Sequence, residues 1–142
     1  MEKPFDPRIF DMMDTVALHL CEAVGNCRMA YLQSDEISLL LLNRKEATPW
    51  FDNELQKICS VSASLAASVA TKWVGENMPE HAKAVLSFDA RANIYPPGDI
   101  INYFIWRQSD WERNSLSMLA RKHYTQKQLQ DKNAKEMHEL IH

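Results

Sequence analysis

The sequence predicts an α+β chain with helices packed on one face of an antiparallel sheet. Three observations predict it. Ile9, Phe10, Met13, Val16, Ala17, Leu20 and Val24 recur at three- and four-residue steps, the stripe of a helix with one buried side. Two apolar runs, Arg28-Met29-Ala30-Tyr31-Leu32 and Ile37-Ser38-Leu39-Leu40-Leu41-Leu42, flank a short polar interruption, which is a hairpin signal. Beyond them the order continues as helix, strands, helix, helix, with no internal repeat, low-complexity tract or flexible linker.

The elements follow in turn. Asp6-Pro7 reads as a cap followed by a proline at the first helical position, and Gly25-Asn26 as the stop of that helix. The hairpin comes next, and Arg44 to Pro49 is a polar loop. Trp50-Phe51-Asp52 leads into a second long helix, whose small residues from Ser60 to Ala70 suit close packing on a sheet or another helix. Glu76 to Pro79 ends it. Ala84 to Phe88 reads as a strand, and Ala90 to Tyr95 as a second strand or an extended loop. Pro96-Pro97-Gly98 breaks the chain, and Asp99 can cap a third helix from Ile100 to about Lys122. Thr125 caps a fourth, with Gln128 completing a capping box.

Length and composition narrow the class. At 142 residues the chain is expected to form a single domain, with the 46% apolar and 25% charged residues of an ordinary globular protein. No uninterrupted apolar run exceeds four residues, as in Leu39 to Leu42, and the N-terminus has no signal-peptide core, so a cytoplasmic protein away from membranes is expected. Cys21, Cys27 and Cys59 form no Cys-x-x-Cys pair and read as reduced core residues. The net charge of −3 argues against indiscriminate nucleic-acid binding. Residues 106–135, however, hold seven Lys/Arg against three Asp/Glu, compatible with a phosphate-rich partner or with plain solvated helix faces.

Between the hairpin runs lie Asp35 and Glu36. Both are poor strand residues, and adjacent like charges repel. A divalent cation such as magnesium resolves the repulsion, because it is held by one or two carboxylates together with substrate phosphates. An exposed turn whose acids only keep the hairpin soluble is the competing reading.

Four segments in order resemble the tRNA-histidine guanylyltransferase family and its tRNA-repairing relatives, the 3′–5′ nucleotide polymerases. They are Tyr31-Leu32-Gln33-Ser34-Asp35-Glu36, Phe88-Asp89-Ala90-Arg91 with Tyr95-Pro96, Tyr103-Phe104-Ile105-Trp106-Arg107-Gln108, and Arg113-Asn114-Ser115. The resemblance implies a polymerase palm-like antiparallel sheet and a nucleotidyltransferase that adds nucleotides to the 5′ end of tRNA. ATP or GTP activates the 5′-phosphorylated end, and the 3′-hydroxyl of an incoming nucleotide attacks it, with two magnesium ions aligning the phosphates. By the same resemblance Asp35 is a metal ligand and Glu36 an accessory acid beside it. Ser34 and Lys57 contact the triphosphate, and Arg107 and Asn114 handle the RNA or the second nucleotide. For Lys57, Arg107 and Asn114 a purely structural role stays open, and Asp89 with Arg91 reads as an ion pair under the sheet.

The chain departs from the family in two places. Eukaryotic members carry His-Ile-Asn-Asn-Leu-Tyr-Asn where this chain has Glu112-Arg113-Asn114-Ser115-Leu116-Ser117-Met118, a form closer to the bacterial, archaeal or phage type associated with template-directed 5′-end repair. The family's Asp-Gly-Arg strand, which supplies a further metal-binding carboxylate, has no counterpart, since five residues precede Asp6. A partial palm is therefore expected, with a second function class beside the enzyme: an inactive or assembly-dependent palm fragment that binds metal, nucleotide or RNA. The open sheet edge of such a fragment invites homo-oligomerisation. A remote third reading is a zinc hydrolase through His138-Glu139-x-x-His142, which lacks the third ligand a catalytic zinc needs.

Overall fold

In a computed structural model, residues 6–43 and 47–141 are described, and they form two compact units, one within residues 7–93 and one of residue 6 with residues 94–141. The first opens with helix α1 (Pro7–Ala23), which starts at the expected proline. Its stripe is buried as read, with Met13, Val16, Ala17 and Leu20 inside, joined by Met12, while Phe10 stays 46% exposed. The stop uses its two residues differently from the expectation. Asn26, not glycine, takes the left-handed conformation, at φ 62°. Gly25 is needed for space instead, since a Cβ there would lie 2.8 Å from Cδ1 of Trp50.

Strands β1 (Cys27–Gln33) and β2 (Glu36–Leu41) pair antiparallel, with Leu32 opposite Ile37 and Gln33 opposite Glu36. Leu32, Ile37, Leu39 and Leu41 pack on the core that α1 shares with helix α2 (Leu55–Asn77). The small-residue run of α2 is what lets the helices approach: Ala66, Ala70 and Val74 are buried, one per turn, against Met13, Val16 and Leu20. Met78, wholly buried, closes the core just past the helix end.

The expected strand at Ala84–Phe88 does not form, and of the two readings of Ala90–Tyr95 the loop holds; β1–β2 is the whole sheet among the described residues. The segment is nevertheless strand-like in its side chains. Ala84, Leu86 and Phe88 lie on the core while Val85 is 86% exposed. The alternation that suggested a strand is thus real, but no described backbone runs beside it to complete a ladder. The Leu86 N–H donates instead to Oγ1 of Thr71 at 3.1 Å.

An ion pair ties the first unit together across its sequence, Arg8 Nη1 meeting Glu80 Oε1 at 2.6 Å. Glu80 is held below the ordinary carboxylate value of 4.5 by a backbone hydrogen bond first and by Arg8 second. The folded carboxyl therefore binds a proton less readily than the unfolded one, and the contribution is complete above the unfolded value and lost as pH falls through the folded one. The expected result is a melting-temperature gap between the wild type and Glu80→Gln that is present at neutrality and closes in acid. A gap independent of pH would contradict it.

In the second unit a 3₁₀ turn (Pro97–Asp99) runs straight into helix α3 (Ile100–His123). Asp99 therefore has helical backbone angles and makes no capping hydrogen bond, contrary to its expected role, because a cap needs an extended backbone. The Thr125–Gln128 capping box is present, with Gln128 Oε1 accepting from the Thr125 N–H at 2.9 Å. It starts only the four-residue α4 (Gln126–Leu129), so the single fourth helix of the sequence reading is two. Asp131, at φ 63°, turns the chain. A second box, Asn133 with Glu136, then starts α5 (Ala134–Ile141) through bonds of 2.8 and 3.0 Å.

Candidate functional site

Gln33 and Glu36 close the hairpin as a directly opposed pair, leaving Ser34-Asp35 as a two-residue turn. A loop this short must follow the twist of its strands, which requires a left-handed residue, and Ser34 supplies it at φ 56°. A serine in that conformation costs roughly 1 kcal/mol that a glycine would not. Ser34, Asp35 and Glu36 are all exposed, on a turn held by the pairing of both strands into the core. The two carboxylates are thus fixed to a rigid support and open to ligands.

Beside them lies a residue that the sequence reading did not single out. Gln33 is 7% exposed, and its side-chain Oε1 is buried with no hydrogen-bond partner among the described residues. A buried, unsatisfied amide oxygen costs about 1–3 kcal/mol. In the sequence it looked like one more polar turn residue, and only the strand register distinguishes it.

The tip alone does not make a closed metal site. Among the described residues no three His, Cys, Asp or Glu side chains stand together so as to hold an ion. A magnesium ion that keeps most of its waters and takes its other ligands from phosphate needs only one or two carboxylates, and the tip fits that requirement.

Lys57 sits in the first turn of α2, with its Nζ 5.0 Å from the centre of the Phe51 ring. Phe51 stacks in turn on Trp50, ring centres 4.5 Å apart. Phe51, Asp52 and Asn53 all carry positive φ, at 49°, 51° and 61°, so this approach to α2 is a strained left-handed run. The lysine has an aromatic contact there, which holds its ammonium in place without neutralising it.

In the second unit, Arg107 and Asn114 are drawn together by an acid. Asp110 receives Arg107 at 3.6 Å, Arg113 at 2.9 Å and, more weakly, Asn114 at 3.4 Å. Arg107 is also stacked on Trp106, 4.9 Å from the ring, and its side chain is only 11% exposed. Sequence reasoning passed over Asp110, although its spacing of three and four residues from these partners on one helix was legible. Asp89 and Arg91 do pair, at 3.3 Å, but with side chains 85% and 86% exposed, so the pair lies in solvent and not under the sheet. Exposed pairs of this kind stabilise little.

A cavity of about 640 Å³ opens among α3, α4 and α5, lined by Ser117, Arg121, Gln126 and Lys132 among others. It gives the basic surplus of the C-terminal third a concave site. Of the zinc motif, His138 and Glu139 lie on α5, while His142 falls outside the described residues.

The hairpin tip, the α1–α2 core and the Asp110-centred face of α3 thus describe an α+β protein with a small antiparallel sheet and an acidic turn. The family model for tRNAHis guanylyltransferase matches residues 1–96, and the chain belongs to that family. The chain is similar to tRNA(His) guanylyltransferase 2 of Arabidopsis thaliana, 34% identical over 80% of this chain and 21% of the relative. It is also similar to the probable tRNA(His) guanylyltransferase of Dictyostelium discoideum, at 33% over 80% of this chain and 44% of that protein. A bacterial tRNA(His) guanylyltransferase-like protein solved in complex with ATP superposes at TM-score 0.93. It is 39% identical, over 99% of this chain and 61% of that one. A structure of such a protein with GTP superposes at 0.82, with 38% identity over 88% and 60% of the two chains. The chain therefore spans between a fifth and three-fifths of the length of these relatives.

Proposed function

We propose that this chain carries the metal- and triphosphate-handling part of a nucleotidyltransferase that extends the 5′ end of tRNA in the 3′–5′ direction. The observation that carries the reading is the exposed Asp35-Glu36 pair, where a strained two-residue turn meets the start of β2. Family membership and the ATP and GTP held by the bacterial neighbours support it.

A triphosphate brought to two adjacent carboxylates meets like charge, and a cation between them offsets it. Magnesium, when bound, neutralises phosphate charge and aligns the reacting oxygens. Asp35 holds it, Glu36 adds charge beside it, and the Ser34 hydroxyl and Lys57 ammonium contact the triphosphate. Arg107 and Asn114 serve the RNA side, and the Glu112-Arg113-Asn114-Ser115 sequence favours end repair over strict guanylate addition. On this reading the protein works in the cytoplasm as a homo-oligomer. Ile101, Ile105 and Trp106, which are 69%, 58% and 54% exposed on α3, provide apolar surface for the association.

A second reading is supported by two features of the described residues: no strand pairs beside Ala84–Phe88, and no third ligand stands at the tip. On it, the chain binds magnesium and nucleotide without catalysis until it is assembled with a further strand. Incubation with a 5′-truncated tRNA, ATP, GTP and magnesium separates the two. Extension of the 5′ end by this chain is the expected result. No extension, with nucleotide binding retained, assigns the chain to the second reading, and absence of both rejects the two together.

A further inference from the structure

Cys21, in the last turn of α1, and Cys27, the first residue of β1, stand with their Sγ atoms 3.5 Å apart. Both thiols are free and partly exposed. Sequence spacing pointed to separate core cysteines, but the connection between them is folded back and pinned. The Val24 N–H donates to Leu20 O at 2.8 Å, the Cys27 N–H to Val24 O at 3.3 Å, and the Leu42 N–H to Asn26 O at 3.1 Å. The Asn26 amide donates to Asn43 and to the Thr48 carbonyl, both at 3.1 Å. Gly25 lies hard against Trp50. The two sulfurs are therefore held in contact by the fold, about 1.5 Å beyond a disulfide's ~2.05 Å.

We propose that Cys21 and Cys27 form a dithiol modification site, which a small disulfide such as oxidised glutathione converts to an intramolecular disulfide. In the first step the Cys21 thiolate attacks oxidised glutathione, forming a mixed disulfide and releasing one glutathione thiolate. The Cys27 sulfur then attacks Cys21 Sγ, the second glutathione leaves as a thiolate, and the Cys27 proton is passed to it. Two protein thiols are oxidised and one oxidised glutathione is reduced to two glutathiones. Burial first, and the contact with Cys21 second, push the Cys27 thiol up, which suits Cys27 to the second, resolving step. The bond would lock the joint between α1 and β1, at the end of β1 away from the Ser34-Asp35 turn.

Trypsin offers a direct readout, because no Lys or Arg lies between Ile9 and Arg28. The full chain is equilibrated in a glutathione redox buffer, free thiols are blocked, and peptides are weighed. The expected product is the Ile9–Arg28 peptide two hydrogens lighter, with Cys59 blocked as a free thiol in its own peptide. In Cys27→Ser the same peptide should instead carry glutathione on Cys21. Repeated in denaturant on the wild type, the preference for the internal disulfide should fall. Stable glutathione adducts on the wild-type pair, no reaction at either cysteine, or an equal preference in denaturant would each overturn the proposal.

Discussion

Asp35→Ala is expected to abolish the stabilisation that magnesium and ATP together give the wild type, while leaving the melting temperature of the ligand-free chain nearly unchanged. The side chain is exposed on a turn whose conformation is set by Ser34, so its removal touches no packing. Surface changes of that kind stay within about 0.5 kcal/mol. On the proposed role at a phosphate-aligning cation, its loss would remove several kcal/mol of transition-state stabilisation, so any 5′-extension activity should drop roughly a hundredfold or more. Thermal melts of both proteins, with magnesium, with ATP and with both, test the binding half. An equal shift in the variant would remove Asp35 from the site.

The largest stability loss is expected at Met13. It is 2% exposed, in the α1 stripe that faces Ala66, Ala70 and Val74 of α2. Truncation to alanine leaves a hole between two helices that already meet through small side chains and have little freedom to close it. Such changes cost about 2–5 kcal/mol, a large part of the roughly 5–15 kcal/mol that holds a domain folded. Urea unfolding should show the midpoint falling sharply for Met13→Ala. It should hardly move for Leu18→Ala, whose side chain on the same helix is 66% exposed. Similar losses in the two would mean the α1–α2 packing is not what holds this unit.

What was legible in the sequence was whatever a local rule determines. The α1 stripe, the hairpin runs and the Thr125 box depend on residues within a turn or a strand pair of one another, and all three are found. What depends on a distant partner was not legible. Ala84 to Phe88 has a strand's alternation, but a strand also needs a neighbour, and alternation says nothing of one. Asp99 has a cap's chemistry, but the 3₁₀ turn before it fixed its backbone first. At the site, the acids were readable as chemistry out of place in a hairpin. Gln33 was not, because burial at the end of a strand is a property of the register, whereas Asp110, three and four residues from its partners on one helix, was.

Asp110 also changes how the basic charge of α3 should be counted. Two guanidinium groups, Arg107 and Arg113, already have this carboxylate as their counterion. A polyanion that approaches this helix displaces fewer salt ions than the number of arginines suggests, since part of the neutralisation is internal. Binding of RNA to this face would accordingly weaken less steeply with added salt than a count of cationic residues implies.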